Sequence, residues 1–252
     1  NEYIWGKSTT FTEKGKFGLQ GNGWYDCIPT GNLNTETNIE FYKSLIAMAM
    51  VEELAAAKGM ESGASIRNPH PFAENAQDIT WTYTPASLRA LAETVKTNMR
   101  KDVADGGLWN PATGRFAWAV YDENYTDDTG ILYEGGLEGE AMDYGHVQIN
   151  LDAVLTGIAS DEQQKSIMDW LDGKRTVEGD ASTGEDIYFY EFAPRVNTRD
   201  RKTGKDEITV VTPWKFGTDV QNGGASIHIS YYDLLARNAY GGADASYKRL
   251  DS

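Results

Sequence analysis

The stretch Gly21-Asn22-Gly23-Trp24-Tyr25-Asp26-Cys27-Ile28-Pro29-Thr30-Gly31 stands just ahead of a long helical pattern. Glycines at 21, 23 and 31 open backbone angles closed to other residues, and Pro29 stiffens the exit, a composition that suits a shaped loop. At its centre a single acid, Asp26, follows Trp24 and Tyr25. A carboxyl pressed against two aromatic rings is partly desolvated, which raises its pKa and keeps a proton available near neutral pH. An acid capping a turn is the other reading that the loop permits.

Residues Asn1 to Lys16 lack a helical period and read as an extended lead-in. From about Thr37 the apolar positions Tyr42, Leu45, Ile46, Ala49, Met50, Leu54 and Ala57 recur at three- and four-residue steps, and Gly59 sits where a helix stops. Met60 to Trp81 holds Gly, Pro and Asn without sustained period, as a long loop or a small excursion would. Thr84-Pro85 supplies a cap and a proline at the first helical position. Leu88, Leu91, Ala92, Val95 and Met99 then stripe a second helix, which is expected to end near Asp105-Gly106-Gly107.

The segment Leu108 to Tyr121 turns at Asn110-Pro111-Ala112-Thr113-Gly114 between aromatic runs and reads as a small hairpin. Val147, Leu151, Val154, Leu155 and Ile158 mark a third helix, and Ser160 with Gln163 makes a capping box that opens a fourth, stopped by Gly173. With almost no chain between them, these two are expected to pack antiparallel. Lys174 to Gly224 reads as loop and short strand, with Ile208 to Val211 the best strand. Gly223-Gly224 releases a fifth helix with Ile227, Tyr231, Leu234 and Leu235 on one face; Gly241-Gly242 breaks it, and a sixth begins near Ala243. Helices paired across short turns and separated by long loops describe an all-α toroid of helical hairpins, about half of a ring. One domain is expected over residues 1–252, with 1–36 as lead-in and acid loop and 37–252 as hairpins.

With 252 residues, 40% of them apolar, the chain can bury a real core. A net charge of -15 and a pI of about 4.6 oppose nucleic acid and anionic lipid, leaving neutral ligands as the expected targets. The 7 Trp and 14 Tyr residues suit stacking on the apolar faces of sugar rings, and equally suit a core. Cys27, the only cysteine, has no partner in the chain for a disulfide or a thiolate metal site. The longest apolar run, Leu45 to Val51, is too short to span a bilayer, and no charged-then-apolar leader precedes it. A soluble, processed or truncated polypeptide is the expectation, with a periplasmic or secreted location favoured and no cofactor required.

Several pieces in order resemble the C-terminal half of an (α/α)6 barrel glycosidase. They are Gly23-Trp24-Tyr25-Asp26 before a long helix, Leu108-Trp109-Asn110 with Gly114-Arg115-Phe116, Asp143-Tyr144-Gly145-His146 before Asn150, and Gln221-Asn222-Gly223-Gly224 opening a helix. That six-hairpin superfamily includes trehalases, processing α-glucosidases, α-rhamnosidases and the cellobiose phosphorylase group. The resemblance implies an inverting glycoside hydrolase whose Trp-x-Asp type loop supplies the general acid, a role that falls on Asp26. It also implies that an N-terminal half or a partner chain completes the barrel. Where the trehalase-like and glucosidase-like members carry a Glu as general base, this chain has Gln221-Asn222, and neither amide takes a proton from water at neutral pH. Asp219 and Glu191 are the nearest acidic substitutes. A non-catalytic carbohydrate-binding protein and a disaccharide phosphorylase are the alternatives.

Other residues take binding roles in this reading. Asp143 and His146 precede a helix and suit charge-assisted hydrogen bonds to sugar hydroxyls, or else serve as a cap acid and a surface histidine. Arg195 offers a planar fork to a hydroxyl pair or a uronate, or else an ion pair. Trp24, Tyr25 and Trp214 are stacking platforms and Gln221 and Asn222 polar contacts, whereas Trp170, in a helix stripe, belongs to the core, and His228, within a helix, is read as structural. The acidic run Asp122 to Asp128 places oxygens at alternate positions but lacks the glycine and late glutamate of an EF-hand, so a solvated turn is expected there.

Overall fold

The computed structural model describes residues 33–60, 65–66, 79–80, 83–120, 141–143, 145–175, 177 and 227–251. Within them the chain is mostly helical, with small antiparallel strand pairs. Strand β1 (Leu33–Asn34) runs straight into α1 (Thr35–Ala57). Asn34 is extended, and its side chain accepts the Thr37 N–H at 2.9 Å, so the helix opens before its apolar period becomes visible. β2 (Ser65–Ile66) and β3 (Ile79–Thr80) pair antiparallel within the expected excursion.

Helix α2 (Pro85–Met99) starts as its sequence dictates. Ser87 N–H donates to Thr84 Oγ1 at 3.1 Å and Thr84 N–H to Ser87 Oγ at 2.8 Å, a reciprocal cap with Pro85 at the first position. It stops earlier than expected. A separate 3₁₀ turn, Val103–Asp105, follows, ended by Gly106 at φ 75°. The hairpin causes the early stop: Leu108 N–H takes the Met99 carbonyl and Trp109 N–H that of Lys101, groups a longer helix would have used itself.

β4 (Trp109–Asn110) and β5 (Arg115–Phe116) form the expected hairpin, and β6 (Ala119–Val120) lies between β1 and β7 (Ala141–Met142). α3 (Val147–Leu155) and α4 (Asp161–Leu171) follow, the second opened by the Ser160–Gln163 box. α5 (Ile227–Leu250) is broken at Gly242, φ 79° and ψ -177°, into two helical arms, where the glycine pair asked for a break.

The core is built around α3, whose residues from Val147 to Val154 are all buried; it touches α1, α4 and α5. α1 packs on α2, with Leu45 and Ala49 buried on one and Leu88, Ala92, Val95 and Met99 on the other. Trp170 is fully buried. Two apolar stripes differ from expectation. Met50 and Leu54 of α1 are 58% and 61% exposed. On α5 the packed face is Ile229, Asp233, Ala236 and Arg237, while Tyr231 is 62% exposed. Charge decides that face: Arg237 donates to Asp233 at 2.8 Å and Asp172 at 2.7 Å, and Arg249 to Asp233 at 2.9 Å.

Candidate functional site

The hairpin turn and the entry to α3 converge on Asp143. Its Oδ1 accepts from Arg115 Nε at 2.6 Å, and its Oδ2 accepts from Asn110 Nδ2 at 3.0 Å and from the Thr113 hydroxyl. The carboxylate is 4% exposed and the guanidinium fully buried, lying over the Trp170 ring at 4.6 Å. Removing one member would strand a buried charge, a loss on the order of 3–5 kcal/mol. Asn150, one turn into α3, acts as a mock strand: its Oδ1 accepts the Phe116 N–H at 2.8 Å while its Nδ2 donates to the His146 carbonyl at 2.9 Å. Asp143 therefore anchors the hairpin to α3, with its acceptor positions engaged inside the protein rather than turned toward a ligand.

His146, at the start of α3, is buried with its ring edge-on to Trp118, centroids 4.9 Å apart. Burial holds its pKa down, to about 3, so the imidazole is neutral. The charge-assisted sugar contact expected of it needs an imidazolium, which this environment opposes. The histidine is neither on the surface nor a side-chain cap.

A different polar cluster lies where α1, α3 and α5 meet. Lys43 Nζ lies 2.5 Å from Asp152 Oδ2 and 2.8 Å from Glu40 Oε1. Burial works against the ammonium, but hydrogen bonds to Asp152 and Glu40 outweigh it and hold its pKa above the usual lysine value. Burial lifts Asp152 above the ordinary carboxylate range, with Lys43 pulling the other way. Glu36, one turn before Glu40, is raised to about 7, chiefly by burial and then by the charges of Glu40 and Asp152. Tyr232 of α5 feels Asp152, Lys43 and Glu40 and hydrogen-bonds Gln148 of α3. Sequence reading missed this cluster because Lys43 and Asp152 are 109 residues apart. Its one sequence signal is Glu36 two residues past a helix-capping Asn34, an ordinary place for an acid.

Asp26, Asp219, Glu191, Trp24, Tyr25, Arg195, Trp214, Gln221 and Asn222 lie outside the described residues, as do the acidic run from Asp122, the side chain of His228 and the strand expected at Ile208 to Val211. Among the described residues, no cluster of three or more His, Cys, Asp or Glu side chains is placed to hold a metal ion, and no helix is long and apolar enough to cross a membrane. No family model, no curated protein and no solved structure matches this chain.

Proposed function

We propose that this chain is the C-terminal half of an (α/α)6 barrel glycoside hydrolase acting on an oligo- or polysaccharide with inversion, with Asp26 as general acid. The observation that carries the reading is the ordered set of sequence motifs. Trp24-Tyr25-Asp26 precedes α1, Leu108 to Phe116 brackets the hairpin, Asp143 to His146 precedes α3, and Gln221 to Gly224 precedes α5. The helix neighbours support it: α2 sits on α1 and α4 on α3, while α3 lies beside both α1 and α5, as successive hairpins of a ring do. Asp219 or Glu191 takes the base role; Trp24, Tyr25, Trp214 and Arg195 take the sugar. Exposed Met50, Val51, Leu54 and Met60 on and just after α1 are a face for an N-terminal half or partner chain that completes the ring.

Gln221-Asn222 favours a second reading, a carbohydrate-binding protein without turnover. The test is hydrolysis of a panel of aryl glycosides and disaccharides by the wild type and Asp26→Asn. Loss of turnover by roughly 10²–10⁴-fold in the variant, with sugar binding kept, is the expected outcome. A wild type that binds sugar but cleaves no glycoside selects the second reading, and turnover that requires inorganic phosphate selects a phosphorylase.

A further inference from the structure

We propose that the second arm of α5, Ala243 to Leu250, is hinged at Gly242 and exchanges between two copies of the chain, each straightened arm taking the other copy's seat. The bend makes demands on two glycines that a straight helix does not make. Gly242, the one residue of α5 away from helical angles, lies at φ 79° and ψ -177°, a region closed to residues with a Cβ. At Gly241 a Cβ would come 2.9 Å from that of Ala245, whereas side chains four apart on a regular helix stand about 5–6 Å apart. Both glycines therefore serve the bent form, and the straight form has no need of either.

Two polar contacts seat the arm: Ser246 Oγ donates to the Leu234 carbonyl and Arg249 Nε to Asp233 Oδ2, each at 2.9 Å. Both reach across the bend. On a straight helix Arg249, 16 residues beyond Asp233, stands about 24 Å from it. Among the described residues the arm adds no apolar side chain to the core, so little hydrophobic burial opposes its release. Asp233 keeps Arg237, at 2.8 Å, when Arg249 leaves, and no buried carboxylate is stranded.

A second copy fits the vacated seat because its arm carries the same serine and arginine at the same spacing and restores both contacts. Charge favours the same occupant: Lys248 and Arg249 lie in the last turn of the arm, while the chain as a whole stands at -15. Straightening also brings Tyr240 and Tyr247, 44% and 66% exposed in the bent form, onto one stripe of a continuous helix, an apolar surface for the partner.

The test is sedimentation equilibrium of the full chain carrying Val51→Glu and Leu54→Glu, which removes association through α1. In that background a dimer is expected whose share grows with protein concentration. Gly242→Ala is expected to tighten it by about tenfold or more, because the bent form becomes strained and the straight form gains a good helix former. Adding Arg249→Ala to Gly242→Ala is expected to undo that gain, since the arm loses its charged anchor. Should Gly242→Ala fail to fold, Gly241→Ala, which adds one close side-chain contact, is read in the same way. A glycine variant that dimerises no more tightly makes the bend a plain helix break and overturns the exchange. A dimer indifferent to Arg249→Ala overturns it as well, and assigns the association to the tyrosine stripe.

Discussion

Glu36 makes the protein's stability depend on pH in a direction opposite to that of an ordinary ion-paired acid. Its carboxyl keeps its proton to about pH 7 in the folded chain, whereas an unfolded glutamate releases it near 4.5. Between those values the folded state binds more protons than the unfolded one, so stability falls as pH rises through the window and levels off above it. Glu36→Gln removes that titration. The variant is expected to match the wild type near pH 4 and to exceed it by roughly 2–3 kcal/mol at pH 8, read from urea unfolding at the two pH values. An equal difference at both would sink the assignment. His146, held neutral down to about pH 3, works in the other sense, with stability lost as pH falls below about 6.5, so the paired comparison isolates Glu36. A charge kept where it destabilises the fold is a common property of groups that bind or react.

At the scale of elements, the junction of α2 with the hairpin depends on a glycine for space rather than for torsion. A Cβ at Gly107 would lie 1.8 Å from the Lys101 carbonyl oxygen and 2.2 Å from its carbon, both backbone. At Gly157 the angle is left-handed, φ 67°, but a Cβ meets open space. Gly107→Ala is therefore expected to cost about 3 kcal/mol and Gly157→Ala about 1 kcal/mol, and thermal unfolding of the pair ranks them. Equal losses would mean that the strand entry shifts freely.

Much at this scale is written locally in the sequence. Thr84-Pro85, the Ser160–Gln163 box, the glycine stops and the turn at Asn110 to Gly114 all act within a few residues, and each element they mark is present. The buried face of α5 was not legible, because Arg237 is drawn inward by Asp172, 65 residues earlier. The internal role of Asp143 was hidden for the same reason, its partner Arg115 being 28 residues away. Of the candidate site, Asp143 and His146 fall within the described residues and both have internal tasks, while the loop that holds Asp26 lies outside them.

For the whole molecule, an apolar face on α1 and a net charge of -15 act against each other. Repulsion keeps copies apart, and salt weakens it once the Debye length shortens to about 8 Å at physiological ionic strength. Association of the wild type, followed by sedimentation velocity, is expected to rise with ionic strength. Val51→Glu with Leu54→Glu is expected to suppress it while leaving Tm nearly unchanged, because both side chains are already in water. A large loss of Tm would place these residues in the core instead.

The frame around Asp143 bears also on how such a protein can diverge. Val120 pairs with Ala141, and Arg115 grips Asp143 at 2.6 Å, so the two ends of the connection between these strands are fixed posts. Whatever is inserted between them meets a closure entropy that grows only logarithmically, about 0.6 kcal/mol for each doubling of length. A change in the length of the connection between Val120 and Ala141 is therefore expected to cost the fold little as long as the ion pair holds both ends in register.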